Sequence, residues 1–189
     1  MMKKLLILLL TSLFTSSLFA ENSIGINAND NSAEFDTTFN FNSFTGYEVG
    51  TDYAFDISSL SANGRSLFTV GYIGEGQPQG TNKVKVGFGI KATFSKSFYA
   101  IPLMVKIAYP LPINRKIPPT DISIAYTYAP YALTFSDDGK QFSEIRLLAD
   151  MEVIDNVHIY GGYRTIDTDY ITYSYNMDSS FFAGLKLSF

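Results

Sequence analysis

Lys83-Val84-Lys85-Val86-Gly87-Phe88-Gly89-Ile90-Lys91-Ala92-Thr93-Phe94 separates by parity into two chemistries: the even positions are all apolar, and the odd positions hold only Lys, Gly and Thr. Successive side chains of a strand point to opposite faces, so a period of two gives one apolar and one polar face, whereas a helical period of 3.6 mixes the two sets. The next segment repeats the pattern. Tyr99, Ile101, Leu103, Val105, Ile107, Tyr109 and Leu111 alternate with Ala100, Pro102, Met104, Lys106, Ala108 and Pro110. Pro102 and Pro110 each lack a ladder donor, and a closed barrel has no free edge to hide one, so they count against this strand or mark bulges in it.

Working outward, the alternation covers most of the chain. Phe35, Thr37, Phe39 and Phe41 alternate with Glu34, Asp36, Thr38, Asn40 and Asn42. Tyr47, Val49, Thr51, Tyr53, Phe55 and Ile57 alternate with Glu48, Gly50, Asp52, Ala54 and Asp56. Downstream, Ile122, Ile124, Tyr126 and Tyr128 oppose Asp121, Ser123, Ala125 and Thr127. Ile145, Leu147, Ala149, Met151 and Val153 oppose Glu144, Arg146, Asp150 and Glu152, with Leu148 breaking the polar set. Val157, Ile159, Gly161 and Tyr163 oppose His158, Tyr160, Gly162 and Arg164. Shorter segments at Ser23 to Asn29 and Leu67 to Glu75, with Ser179 to Phe189, bring the total to about ten strands, an even number as expected of bacterial single-chain barrels.

The expected fold is therefore all-β: a transmembrane antiparallel up-and-down β-barrel of about ten strands. A soluble periplasmic β-sandwich is the alternative, since its strands also alternate between core and solvent. Rings at the ends of the apolar faces favour the barrel, as with Tyr47 and Phe55, Tyr99 and Tyr109, or Phe181 and Phe189. A membrane barrel needs aromatic girdles at both interfaces and a sandwich core does not. The 189 residues carry a net charge of −4, with 46% apolar and 17% charged residues, which excludes a disordered polyelectrolyte as the main body. With no Cys there is no thiolate nucleophile, disulfide framework or Cys-ligated metal site. The 13 Tyr and 16 Phe, without any Trp, suit strands and membrane interfaces.

Residues 1–20 read as a secretory signal peptide, leaving 21–189 as one barrel domain. Lys3 and Lys4 form a basic start, Leu5 to Leu10 an unbroken apolar run, and Phe19-Ala20-Glu21 a cleavage region. The apolar run is shorter than the roughly 20 residues a spanning helix needs. At the other end, Phe181, Ala183, Leu185, Leu187 and Phe189 share one face against Phe182, Gly184, Lys186 and Ser188. A last strand ending on an aromatic carboxyl-terminal residue resembles the signal read by the outer-membrane assembly machinery, which makes Phe189 the expected assembly signal.

Tyr126-Thr127-Tyr128-Ala129-Pro130, then Phe135-Ser136-Asp137, an alternating strand to Val153 and Ile159-Tyr160-Gly161-Gly162-Tyr163-Arg164 follow an order and spacing that resembles the YfaZ family of outer-membrane proteins. The resemblance covers roughly residues 98 to 189 and implies a small, signal-bearing outer-membrane barrel of unestablished activity. Ser95-Lys96-Ser97 is short where that family implies an extracellular loop, and Leu111 to Thr120 is long where it implies a periplasmic turn.

No catalytic, cofactor or metal site is expected. The single His158 sits with Arg164 on the polar face near a turn at Asp155-Asn156 and reads as a hydrogen-bonded lumen side chain. Outer-membrane proteases of the omptin type need carboxylates and a His at the extracellular rim, whereas His158 is expected near the periplasmic end. Outer-membrane lipid A deacylases pair a His with a Ser two residues later, where this chain has Tyr160. There is no phosphate-binding loop, and the negative charge lacks the basic face nucleic acid requires.

The remaining feature is the charge of the expected lumen. Glu34, Asp36, Glu48, Asp52 and Asp56 lie on early strands and Lys83, Lys85, Lys91 and Lys106 on middle ones. Glu144, Arg146, Asp150, Glu152, His158, Arg164 and Lys186 lie on late ones. Two function classes follow: a structural or interaction barrel whose lumen is filled by a salt-bridged plug, or a minor porin-like channel for small solutes or ions. Expected partners are outer-membrane lipid and the assembly machinery, with no ligand named. Ala132 to Gln141 and Asp167 to Asp178 are the expected extracellular loops, the second of which, with Tyr170, Tyr173 and Tyr175, reads either as a binding surface or as an extended hairpin in the aromatic girdle.

Overall fold

The computed structural model describes residues 22–41, 50–80, 83–96, 98–112, 118–136 and 138–189. The expected signal peptide, Glu48 with its neighbours Tyr47 and Val49, and parts of four further links lie outside these residues. Eleven strands follow one another: β1 (Ser23–Ala28), β2 (Ser32–Asn40), β3 (Thr51–Ala62), β4 (Arg65–Gly76), β5 (Lys85–Ser95), β6 (Phe98–Ala100), β7 (Leu103–Pro110), β8 (Thr120–Ala129), β9 (Gly139–Ile154), β10 (Val157–Tyr170) and β11 (Ser174–Ser188). All pairings are antiparallel and join chain neighbours except that β5 also pairs with β7, and β1 against β11 closes the ring.

β6 and β7 both pair with β5 and form one interrupted stave, so the barrel has ten staves. The break falls at Ile101-Pro102, as the missing donor of Pro102 demands, and the ladder is carried past it by Lys91 N–H donating to Pro102 O at 2.8 Å. Pro110 ends β7. A sandwich is set aside, because this single sheet closes on itself and leaves no second sheet to pack against.

The parity read from the sequence holds on β5. Gly87 and Thr93 are buried inside, while Phe88, Ile90 and Phe94 are exposed outside. Leu103, Val105 and Ile107 of β7, Ile122 and Ile124 of β8, and Ile145 and Leu147 of β9 continue the apolar outer belt. Rings flank it. Phe68 and Phe94 meet at 6.5 Å toward one end, and Tyr53, Phe55 and Tyr72 cluster toward the other, with Tyr72 5.1 Å from Phe55 and 6.0 Å from Tyr53. An outside more apolar than much of the inside is the inversion that lipid imposes on a barrel.

Asn22 and Phe189 exchange backbone hydrogen bonds, N–H to O at 3.1 and 2.9 Å, which marks the terminal end of the barrel. The links 41–50, 77–84, 111–119 and 155–156 lie at that end. Those at 29–31, 63–64, 96–97, 130–138 and 171–173 lie at the far end. Of the two expected far-end loops, the second takes its hairpin alternative and the first is shorter than expected. Asp167 to Asp178 is an extended hairpin of β10 and β11 around a short turn at 171–173, and Gly139 to Gln141 belongs to β9. Their polar side chains mark strand that rises beyond the apolar belt, where Asn176 donates to Asp167 at 2.8 Å.

One register shift sets the interior. Ile166 pairs with Asp178 but Asp167 pairs with Asn176, so Met177 is an extra residue on β11. At this bulge two consecutive side chains, Met177 and Asp178, both turn inward and are buried.

Candidate functional site: a lumen sealed at the far end

Three layers fill the barrel from the far end. The first is apolar. Leu60, Leu67, Phe98, Phe142, Ile166 and Met177 form one buried cluster with Tyr170, and the ring of Phe98 lies 5.9 Å from Phe142 and 6.1 Å from Tyr170. The sequence reading put a salt-bridged plug inside. The outermost stopper is instead hydrocarbon, since the inward positions near the far ends of the staves are apolar, and packing them together removes them from water.

The second layer is ionic. Arg164 is completely buried, donating from Nε to Asp178 Oδ2 at 2.6 Å, from Nη1 to Glu34 Oε2 at 2.6 Å and Asn27 Oδ1 at 3.2 Å, and from Nη2 to Ser32 Oγ at 2.8 Å. Arg146 grips Glu34 with two bonds of 2.9 Å and donates from Nε to Glu144 at 3.0 Å. Such bidentate, charge-assisted bonds fix geometry as well as charge. Phe182, at an inward position of β11, lies beneath both guanidinium groups at 4.9 and 5.8 Å. Tyr160 links this layer to the next by donating to Asp36 Oδ1 at 2.7 Å. A Cβ at Gly25 would lie 2.6 Å from Asp36 Oδ2, so any larger residue there would push this carboxylate from its place beside β1.

The third layer is a cavity of about 560 Å³, reaching from Leu60, Leu67 and Ile166 to Asn40, Asp52, Pro119 and Asn156 at the terminal end. Asp36, Asp52, Asp56, Lys85, Lys91, Lys106, Glu144, Arg146, Asp150, Glu152, His158 and Lys186 line it, together with Glu34 at its inner limit. Arg164 lies behind this wall in the sealed layer, and Lys83 stands exposed ahead of β5 rather than in the wall. Glu75 and Asp121 line it too; neither is among the lumen charges expected from the sequence, although alternation already puts Asp121 on a polar face.

Pairing inside is specific. Lys106 Nζ lies 3.1 Å from Glu75 Oε1, and Lys186 pairs with Asp150. His158 Nδ1 lies 2.7 Å from Asp150 Oδ1, and His158 Nε2 lies 3.3 Å from Ser188 Oγ. Three adjacent staves, β9, β10 and β11, therefore bring Asp150, His158 and Ser188 into one chain of hydrogen bonds at the cavity wall. Ser188 was legible as an inward residue but not as a neighbour of His158, because that contact depends on the register between β10 and β11. Among the described residues no group of three or more potential ligands is placed to hold a metal ion.

No protein-family model matches the chain, and no curated protein matches it. Among solved structures it is similar to a KdgM porin in complex with disordered oligogalacturonate, at 10% identity over 90% of this chain and 99% of that one, with a TM-score of 0.47. It is also similar to a NanC porin, at 11% identity over 89% of this chain and 98% of that one, with a TM-score of 0.45. The fold assignment rests on the strand register of this chain itself.

Proposed function

We propose that this chain is a small outer-membrane β-barrel of the bacterial envelope, exported through a cleaved signal peptide at residues 1–20, whose lumen is closed to through-flow. Its role in this reading is structural or interactive. The apolar outer belt between two sets of rings supports the membrane placement, and the order and spacing of motifs over residues 98 to 189, which resemble the YfaZ family, are the ground for an affiliation with that group.

The observation that carries the closed lumen is the pair of stacked seals: Phe98, Phe142 and Met177 above, and the fully buried Arg164 between Glu34 and Asp178 below. An ion crossing this region would have to displace hydrocarbon and then a fully bonded ion network. The experiment is planar-bilayer conductance of the refolded mature protein. No unitary conductance steps are expected at moderate voltage. Regular steps in the parent protein would overturn the closed-lumen reading and favour a minor channel, for which the cavity would be the vestibule.

A further inference from the structure

The geometry points to a hydrolytic site for small carboxylic esters inside the lumen, built from Ser188, His158 and Asp150. The inference goes beyond the closed-barrel reading and does not depend on it. A serine hydroxyl becomes a nucleophile when a neutral imidazole accepts its proton, and the imidazole is held in the right tautomer by a carboxylate on its other nitrogen. The spacing here meets that requirement in order: Asp150 Oδ1 to His158 Nδ1 at 2.7 Å, then His158 Nε2 to Ser188 Oγ at 3.3 Å. The second distance is at the loose end for such a pair, as is common before a substrate is bound. Triads are recognised by geometry and role rather than chain order or fold.

The surroundings add what a solitary hydrogen-bond chain would lack. All three side chains line the 560 Å³ cavity, so the nucleophile faces a space sized for a small molecule. Lys186 pairs with Asp150 through the carboxylate oxygen that His158 does not use. It lies two residues before Ser188 on the same inward face, so the cavity wall that holds the serine also carries a positive charge. Nine carboxylate side chains line the same cavity against the five cationic ones of Lys85, Lys91, Lys106, Arg146 and Lys186, and this acidic balance disfavours anionic substrates and selects short esters that are neutral or cationic.

The step balances without a co-reactant other than water. Ser188 Oγ attacks the acyl carbon while its proton passes to His158 Nε2. The ester C–O bond then breaks, and the alcohol leaves with that proton. Water, deprotonated by His158 in turn, releases the carboxylic acid and restores the serine.

The test uses the refolded mature barrel in detergent, with a fluorophosphonate probe and p-nitrophenyl acetate. Expected are a covalent adduct mapped by mass spectrometry to Ser188 and ester hydrolysis above background. Ser188→Ala is expected to abolish both, and His158→Gln to lower the rate by about 100-fold, the scale of general-base catalysis. Each variant is checked for fold by its faster gel migration before heating. The adduct on the parent protein needs no variant, so a variant that misfolds leaves the test intact. A folded parent that takes no probe at Ser188, or hydrolysis that persists unchanged in folded Ser188→Ala, overturns the proposal. Either result leaves the closed-lumen reading standing, since conductance is read separately.

Discussion

Arg164 Nε lies 2.6 Å from Asp178 Oδ2, and the pair sits where β11 carries one residue more than β10. Asp178 keeps the inward parity of Ser180, Phe182 and Lys186, while the extra residue, Met177, turns inward directly beside it. The bulge therefore sets two consecutive side chains inside, Met177 in the apolar seal and Asp178 in the ionic one.

Removal of the cation should expose how much of the far-end seal depends on it. Arg164→Met leaves the carboxylates of Asp178 and Glu34 buried, although Arg146 still holds Glu34. Breaking a buried pair by removing one partner costs about 3 to 5 kcal/mol. The temperature at which the fast-migrating folded band is lost on a detergent gel should drop clearly. Adding Asp178→Asn to the same variant should recover part of the loss. An unchanged transition temperature in Arg164→Met would show that the ionic layer is not what holds the barrel together.

The two faces of β5 should respond in opposite ways to charge. Phe88 is 65% exposed at mid-strand on the outer belt, and Lys85 lines the cavity at the terminal end. Phe88→Arg should destabilise the inserted barrel by about 2 to 4 kcal/mol if the position meets the bilayer midplane. Lys85→Ala should insert like the parent protein. Unfolding in lipid vesicles, followed by the same gel assay in urea, measures both, and equal stability of Phe88→Arg and the parent would remove Phe88 from the lipid face.

Much of this was legible in the sequence for a physical reason. Two-residue alternation is a local property, and lipid on one side of every strand forces it to repeat from Phe35 to Leu187. Pro102 likewise marked its strand as irregular, although the sequence alone left open whether it was a bulge or no strand at all. What stayed hidden depends on register between strands. Phe98, Phe142 and Ile166 are unremarkable alone, and only pairing gathers them into a stopper. The Met177 bulge leaves no mark in a polar stretch that reads equally well as loop. His158 was readable as an inward side chain, but its neighbour Ser188 lies 30 residues away, and their contact is fixed by how the β10–β11 hairpin aligns.

Closure of the ring gives the chain's last residue a testable role. Phe189 exchanges two backbone hydrogen bonds with Asn22, next to the β1–β11 seam. Phe189→Asp keeps those backbone groups but places a charge where the sequence pattern expects an aromatic on the outer face. The yield of heat-modifiable protein in outer membranes should fall severalfold, while refolding into detergent should suffer less, because detergent assembly bypasses the cellular machinery. Normal membrane yield would remove Phe189 from the assembly signal.

The orientation of the cavity follows from which end of the barrel reaches the cell exterior. An even number of staves places both termini at one end, and the cavity extends to that end while the seals occupy the other. Insertion from the periplasm is expected to leave the termini behind and send the far-end turns across, because a short turn such as that at Lys96 carries little polar backbone through the bilayer. The chain contains no Cys, so single cysteines report without interference. Lys96 and Asp155 are exposed residues on turns at opposite ends and are suited to replacement. In intact cells Lys96→Cys should react with a membrane-impermeant maleimide and Asp155→Cys should not, until the outer membrane is permeabilised. The reverse pattern would turn the cavity mouth outward, and the Ser188 site would then meet esters from the medium rather than from the periplasm.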